Sequence, residues 1–282
     1  MATVEEFKQR PATFTVLANG LYGSGKTHLG MTFPKVYYLG FEPSGLDILR
    51  IPENKELLGN LVEYEYIEPS TPLQLKEWFE KGGRKGKLYQ CLDKAKQMFK
   101  DGKVTTLFTD NVTYFVDKYW QYINEYHKVF GKTGNLDTQG MYGQLRQDMF
   151  FLFSGEILSF GGNIVASCHL KRESEKTMEG TEERAGKVDK SSDLAPQILG
   201  SFRDLIPGLF GAVIYLDQKS DGKRVAYCTK QRAFDTVIYA KNRYGLPPIV
   251  ENISYKTLWD SNRAKGEVKV TSTATNPGGT NG

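Results

Sequence analysis

Phe14-Thr15-Val16-Leu17-Ala18 runs into Gly20-Leu21-Tyr22-Gly23-Ser24-Gly25-Lys26-Thr27, and the reading of this junction decides the fold. The first run is apolar and β-prone. The second fits G-x-x-x-x-G-K-[ST] at every fixed position, and a helix-capable stretch begins at Lys26. Strand, tight glycine loop and helix start together form a cradle for polyphosphate. Backbone N–H groups turn inward, the helix dipole favours anions, and glycines let the backbone come close. The spacing assigns Lys26 to the β- and γ-phosphates and the Thr27 hydroxyl to Mg²⁺, with His28 closing the nucleotide-binding set. Taken singly, His28 and His127 read as structural or exposed. A chance glycine-rich turn is the bland alternative, and the flanking strand and helix signals argue against it.

The chain has 282 residues, room for one large α/β domain or two small ones. With 39% hydrophobic and 25% charged residues, a packed core is feasible. A formal net charge of +4 permits a nucleic-acid partner without demanding one. Cys91, Cys168 and Cys228 are far apart and form no C-x-x-C pair, so neither a disulfide framework nor a zinc site is expected, and a reducing cytoplasm suits the chain. The opening MATVEEFKQRP has no apolar core of a signal peptide, and no run approaches the ~18 apolar residues of a membrane span.

Outward from the loop, β-type runs stand at 13–18, 36–41, 61–67, 104–109, 163–167 and 212–216. Helix-capable segments lie at 26–31, 72–81, 89–99, 113–129 and 141–160. The alternation predicts an α/β fold, a mostly parallel central sheet flanked by helices with its loops gathered on one edge. Beyond Asp217 the pattern turns to strand, Lys219-Ser220-Asp221-Gly222 turn, strand (223–229) and a further strand (236–240), a C-terminal antiparallel extension. Residues 1–12 form an N-terminal segment and 13–263 a single domain. Within it, residues 170–192 are charged, mixed in sign and nearly free of apolar side chains, and read as a mobile loop. Residues 264–282 read as a disordered tail.

Chemistry-bearing residues fall at the ends of these runs. Asp110 closes Val104-Thr105-Thr106-Leu107-Phe108-Thr109, and a carboxylate there is placed to hold Mg²⁺ beside Thr27. Its bland alternative is a helix cap, a task that Asn111 or Thr113 could do equally well. Glu42 ends the second run, where a base or water-positioning group would face a γ-phosphate; an exposed loop glutamate is an even alternative. His169 follows the 163–167 run and reads as a phosphate contact or as a histidine satisfied at a strand end. Lys241 and Arg243 share a face at i and i+2, and spacing alone favours a solvated basic strand end. Lys171, Arg172, Lys176, Arg184, Lys187 and Lys190 are candidate DNA contacts, weakened by the loop's own Glu and Asp residues and its lack of aromatics. Phe115, Tyr119, Tyr122, Tyr126 and Phe130 follow helical spacing and predict a helix packed on the sheet.

With these residues placed, the chain resembles the phage-encoded RecA-like ATPases that accompany single-strand annealing proteins, distant relatives of RecA and RadA among the AAA-type nucleotide-binding proteins. The resemblance spans 13–248. It rests on GLYGSGKT (20–27), YLGFEPSG (38–45), LFTDNVT (107–113), IVASCHLKRE (164–173) and AKNRYGLP (240–247), the last similar to the KNRFG motif of RadA-type proteins. It implies a RecA-like core with ATP and Mg²⁺ at subunit boundaries. In it Asp110 is the Walker B carboxylate, Glu42 the catalytic carboxylate and His169 the γ-phosphate sensor. Lys241 and Arg243 would act across the interface, and 170–192 would be the DNA-binding loop. Implied partners are single-stranded DNA, further copies of the chain in a ring or filament, and a DNA-annealing or single-strand-binding protein, with no membrane. The setting would be cytoplasmic, in the host cell if phage-encoded. The chain departs from the pattern in its short apolar run before Asp110, the acidic load of its loop and the lack of an obvious separate oligomerisation domain.

The leading expectation is a DNA-stimulated ATPase of recombination, repair or replication. A P-loop small-molecule kinase would need its own lid and acceptor site. A packaging or helicase motor would share the ATP site, and an ATP-gated adaptor for an annealing protein would turn over very slowly.

Overall fold

Thr15–Gly20 is a central strand, β1, buried throughout from Val16 to Gly20. Its alternation serves two cores: Leu17 packs on one face of the sheet, Val16 and Ala18 on the other. Such continuous burial belongs to a parallel strand covered on both sides. The structure, a computed structural model, describes residues 13–42, 44–80, 86–131, 134–172, 194–233, 236–238 and 240–266.

Five further strands run parallel to β1: β2 (Val36–Gly40), β3 (Leu61–Tyr66), β4 (Thr106–Asp110), β5 (Asn163–Arg172) and β7 (Ala212–Gln218). β8 (Arg224–Tyr227) and β12 (Ile249–Glu251) extend the sheet by antiparallel pairing. The order is β12-β8-β7-β1-β5-β4-β2-β3. A short strand, β11 (Lys241–Asn242), pairs with the start of β7. β6 (Leu194–Pro196), β9 (Gln231–Ala233) and β10 (Thr236–Ile238) continue from the far end of β5.

One face carries α1 (Lys26–Met31), the helical turns Gly45–Arg50 and Lys55–Leu58, and α7 (Tyr255–Gly266). The other carries α2 (Pro72–Phe79), α3 (Lys87–Lys100), α4 (Val112–Tyr126), α5 (Thr138–Phe151) and α6 (Phe202–Leu209). Aromatic rings fill the second face: Phe41 stacks on Phe115 at 4.3 Å, and Phe79 meets Tyr119 edge-on at 5.3 Å. Each such buried ring contributes roughly 1.5–3 kcal/mol by leaving water. Among the described residues no helix is long and apolar enough to cross a membrane.

The parallel sheet matches the sequence reading and β8 extends it antiparallel as expected, with several corrections: the 236–240 run pairs with β9 and β6 as Thr236–Ile238, off the central path, and an unforeseen strand, β12, takes the edge beside β8. β5 continues to Arg172 because its end pairs with β6, a partner more than twenty residues on that no local pattern reveals. Residues 170–172 are therefore strand, not loop. The aromatic helix stops at Tyr126; Phe130 lies beyond it, exposed, in a bridge with Leu136. The 141–160 segment starts earlier, at Thr138, and after Phe151 it widens into a π-helical turn, Leu152–Ile157, and a final 3₁₀ turn. α6 was unexpected, being short and interrupted by Pro207. α7 runs to Gly266, three residues into the expected tail, because Leu258 is buried and Tyr255 and Trp259 pack beside it on the α1 face. Residues 173–193 and 267–282 lie outside the described residues, so the readings of a mobile loop and a disordered tail stay with the sequence.

Candidate nucleotide site

Strand register gathers the sequence-predicted residues on one edge of the sheet. Gly20 at the end of β1 is level with His169 of β5, and Gly40 of β2 is level with Asp110 of β4. Since β5 lies between β1 and β4, His169 stands between the glycine loop and Asp110. His169 is thus inside a strand rather than after one. Two bonds anchor it there: its N–H donates to Thr113 Oγ1 at 3.1 Å, and Gln197 N–H donates to its carbonyl.

The loop from Gly20 to Gly25 turns into α1 through Gly25, at φ 93°. Only glycine takes that conformation without strain, and a side chain there would also strike Arg224. Lys26 is nearly buried, and its ammonium donates to the carbonyls of Gly20 (3.0 Å) and Leu21 (2.8 Å). Burial holds its pKa below the ordinary lysine value, partly offset by the carboxylates of Asp110 and Glu42. Leu21 and Tyr22 are exposed at the crest of the loop.

Asp110 is fully buried and accepts three hydroxyl bonds: from Thr27 Oγ1 at 2.8 Å, from Tyr38 at 3.1 Å and from Ser167. Burial raises its pKa, against the pull of the Ser167, Thr27 and Tyr38 hydroxyls. Thr27 hydroxyl and Asp110 carboxylate make a pair of hard oxygen donors on the floor of the loop, a set that could hold a divalent cation. The Asp110–Asn111 peptide bond is cis.

Asn111, weighed in the sequence only as a helix cap, does two jobs. Its Oδ1 accepts from Tyr114 N–H at 3.0 Å, capping α4. That bond fixes the amide, and Nδ2 then donates to Glu42 Oε2 at 2.6 Å and lies 2.9 Å from His169 Nε2. His169 Nε2 and Glu42 Oε2 are 3.5 Å apart, closing a triangle. The His169 contact holds the Glu42 carboxyl below its ordinary range; burial opposes this, and Asn111 and Lys26 add to it. Tyr22 covers the imidazole at 4.0 Å between ring centroids, and His169 Nδ1 is buried without a hydrogen-bond partner among the described residues.

A cavity of about 320 Å³ opens over the loop. The loop and helix residues Gly23, Gly25, Lys26, Thr27 and His28 line it, together with Glu42, His169, Ile48, Ile51, Asn54 and Arg224. His28 sits on this lining with its pKa pushed down to about 4 by burial and by Arg224. Sequence reasoning missed Tyr38, Asn111, Ser167 and Arg224. Polar Ser167 inside an apolar run was the one local signal.

Lys241 and Arg243 are not brought to this edge. β11 pairs Lys241 with Val213, three residues along β7 from the Leu216 level of Gly20, about 10 Å toward the opposite edge. The Lys241 ammonium donates to the carbonyls of Gly208 (2.9 Å) and Pro207 (3.4 Å), closing the C-terminus of α6. The rest of the closing run is pinned structurally: Tyr244 Oη accepts from Thr15 N–H at 2.8 Å, and Asn242 bridges to the backbone of Leu246. The backbones of Lys171 and Arg172 belong to β5, while Lys176, Arg184, Lys187 and Lys190 lie outside the described residues.

An α/β sheet with this loop, helix start and strand-end carboxylate defines an ATP-binding P-loop NTPase. The chain belongs to the AAA domain family (AAA_24), which matches residues 12–244. No curated protein matches it. Among solved structures it is similar to one titled "Crystal structure of the RadB recombinase", at 14% identity and a TM-score of 0.35, covering 76% of this chain and 81% of that one.

Proposed function

We propose that this protein is a RecA-like ATPase of phage recombination, repair or replication that hydrolyses ATP on single-stranded DNA as a ring or filament. The observation that carries the reading is the Glu42–Asn111–His169 triangle standing beside the Thr27–Asp110 pair. P-loop N–H groups and Lys26 would hold the β- and γ-phosphates, with Lys26 leaving its loop carbonyls to do so. Thr27 and Asp110 would hold Mg²⁺, which when bound neutralises charge on the phosphate oxygens. Glu42, kept ionised by its surroundings, is suited to orient the attacking water and take its proton. His169, on β5, meets both Asn111 and the Glu42 carboxylate, and the far end of β5 leads into residues 173–193, so the strand that carries His169 also leads to the proposed DNA-binding segment. In this reading Lys241 and Arg243 act on ATP held by a neighbouring copy, since their own P-loop lies at the other edge of the sheet.

The test is steady-state ATP hydrolysis with Mg²⁺ at low salt, with and without single-stranded DNA. Stimulation by DNA that fades as salt rises is expected. Turnover indifferent to DNA would overturn the DNA-directed part of the proposal and shift weight to a kinase or an adaptor.

A further inference from the structure

Arg224 is the first residue of β8, and its side chain lies across the backbone of the glycine loop. A Cβ built on Gly25 would stand 2.6 Å from Arg224 Cδ and 3.0 Å from Nε. The same side chain lines the cavity with Gly23, Lys26, Thr27 and His28, on the flank away from Asp110. Its guanidinium has neither a hydrogen bond nor an ion pair among the described residues. The neighbouring acids are engaged elsewhere: Glu251 holds Lys219 at 3.0 Å, and Asp221 faces Lys223 at 3.8 Å. Burial depresses its pKa and no carboxylate offsets this. His28, beside it, has its pKa pushed down to about 4 by burial and by Arg224, so it adds no second positive charge there. A half-desolvated guanidinium with five donors and no acceptor, set over an anion cradle, lacks one thing, an anion.

We propose that Arg224 is a nucleotide-binding residue acting in its own subunit, donating to the diphosphate portion of the nucleotide seated in the loop. This rests on the nucleotide reading of the site but not on DNA or oligomerisation. Its position over Gly25, on the flank opposite Glu42 and Asp110, directs it to the phosphates that ADP and ATP share rather than to the γ-phosphate. Its role therefore differs from that proposed for Lys241 and Arg243, which would act on turnover across an interface.

The test is equilibrium binding of a fluorescent ADP and a fluorescent non-hydrolysable ATP analogue to the full chain, wild type against Arg224→Ala and Arg224→Lys, with Tm measured on each. Loss of one charge-assisted contact predicts roughly tenfold weaker binding of both nucleotides by Arg224→Ala. Arg224→Lys should recover part of that loss, since it keeps the charge without the fork. Equal loss for ADP and ATP supports the assignment. Wild-type affinity in Arg224→Ala, or a loss confined to the ATP analogue, overturns it. If Arg224→Ala is unfolded, Arg224→Lys decides alone: unchanged affinity for both nucleotides overturns the proposal, and a shared loss upholds it. Failure of wild type to bind either nucleotide would instead remove the nucleotide reading itself, and this inference with it.

Discussion

Asn111 Nδ2 donates to Glu42 Oε2 at 2.6 Å, joining the start of α4 to the loop after β2. The bond exists because Tyr114 N–H holds the other end of the same amide at 3.0 Å. One side chain therefore caps a helix and aims a carboxylate. The helix start is rigid, so the carboxylate is held by an element rather than by the loop it sits on.

These two jobs separate by substitution. Asn111→Ser keeps a hydroxyl able to cap α4 but loses the reach to Glu42. Its Tm should stay near wild type, while kcat falls on the order of 10–100-fold and KM for ATP changes little. Asn111→Ala should add a loss of about 1 kcal/mol in stability from the missing cap. Paired urea melts and steady-state kinetics read both effects. Full activity in Asn111→Ser would mean that Glu42 needs no tether or no catalytic role.

Asp110 illustrates a conflict between stability and function. Its folded pKa is raised, chiefly by burial. A carboxyl raised on folding costs stability at neutral pH, and the cost fades as pH falls through the folded value. Asp110→Asn should therefore raise the Tm of the nucleotide-free protein at pH 7, by about 2–4 °C for each kcal/mol relieved, while abolishing Mg²⁺-dependent hydrolysis. The Tm difference should shrink in mildly acidic buffer. A lower Tm for Asp110→Asn at every pH would show that the three hydroxyl bonds outweigh the desolvation.

Glu42 has the opposite sign. Its pKa is lowered on folding, so its contribution to stability is present above its ordinary value of 4.5 and is lost as pH falls through the lower folded value. Wild type should lose stability over that acidic window faster than Glu42→Gln, which has no proton to take up there. Thermal melts from pH 3 to pH 7, on the order of the carboxylate range, check this. Parallel acid profiles for the two proteins would remove the His169 contact as a cause of the shift.

How much of this was legible in the sequence follows from the range of each interaction. α1 was read to the residue because its signals, the loop glycines and the helix-capable stretch that opens at Lys26, are local. Asp110 was legible as the polar end of an apolar run. Ser167 and Tyr38 were not, because their meaning comes from parallel register: each meets Asp110 from a neighbouring strand. Arg224 is two strands from the glycine loop, and nothing local marks it. Lys241 was expected as a solvated cation or a trans finger. Its hold on α6 was invisible because α6, with Pro207 in its last turn, did not read as a helix.

Gly30 shows tertiary packing overruling helix propensity. On an exposed helix Gly→Ala gains up to about 1 kcal/mol. Here a Cβ would press into the ring of Phe108 on β4, itself buried, so neither side can yield cheaply. Overpacking costs roughly 1–3 kcal/mol, and Gly30→Ala should lower Tm by several degrees. Because α1 carries Lys26 and Thr27, the displaced helix should also weaken ATP binding. The double variant Gly30→Ala with Phe108→Leu should recover stability relative to Phe108→Leu alone. Simple additivity of the two changes would place the strain elsewhere.

The trans assignment of Arg243 makes a demand that no single-chain measurement can meet. Lys26→Ala should abolish hydrolysis, since no other described lysine reaches the loop. Arg243→Ala should cut turnover without removing nucleotide binding, because β11 stands at the opposite edge of its own sheet. If Arg243 works on a neighbour's ATP, a mixture of the two variants contains interfaces that pair an intact Lys26 with an intact Arg243. Such mixtures should regain part of the wild-type rate, rising and falling with mixing ratio and greatest near equal amounts. Lys241 needs its own variant, because its hold on α6 makes Lys241→Ala a stability change as well as a charge change. Absence of recovery in mixtures shown to co-assemble would remove the trans role of Arg243.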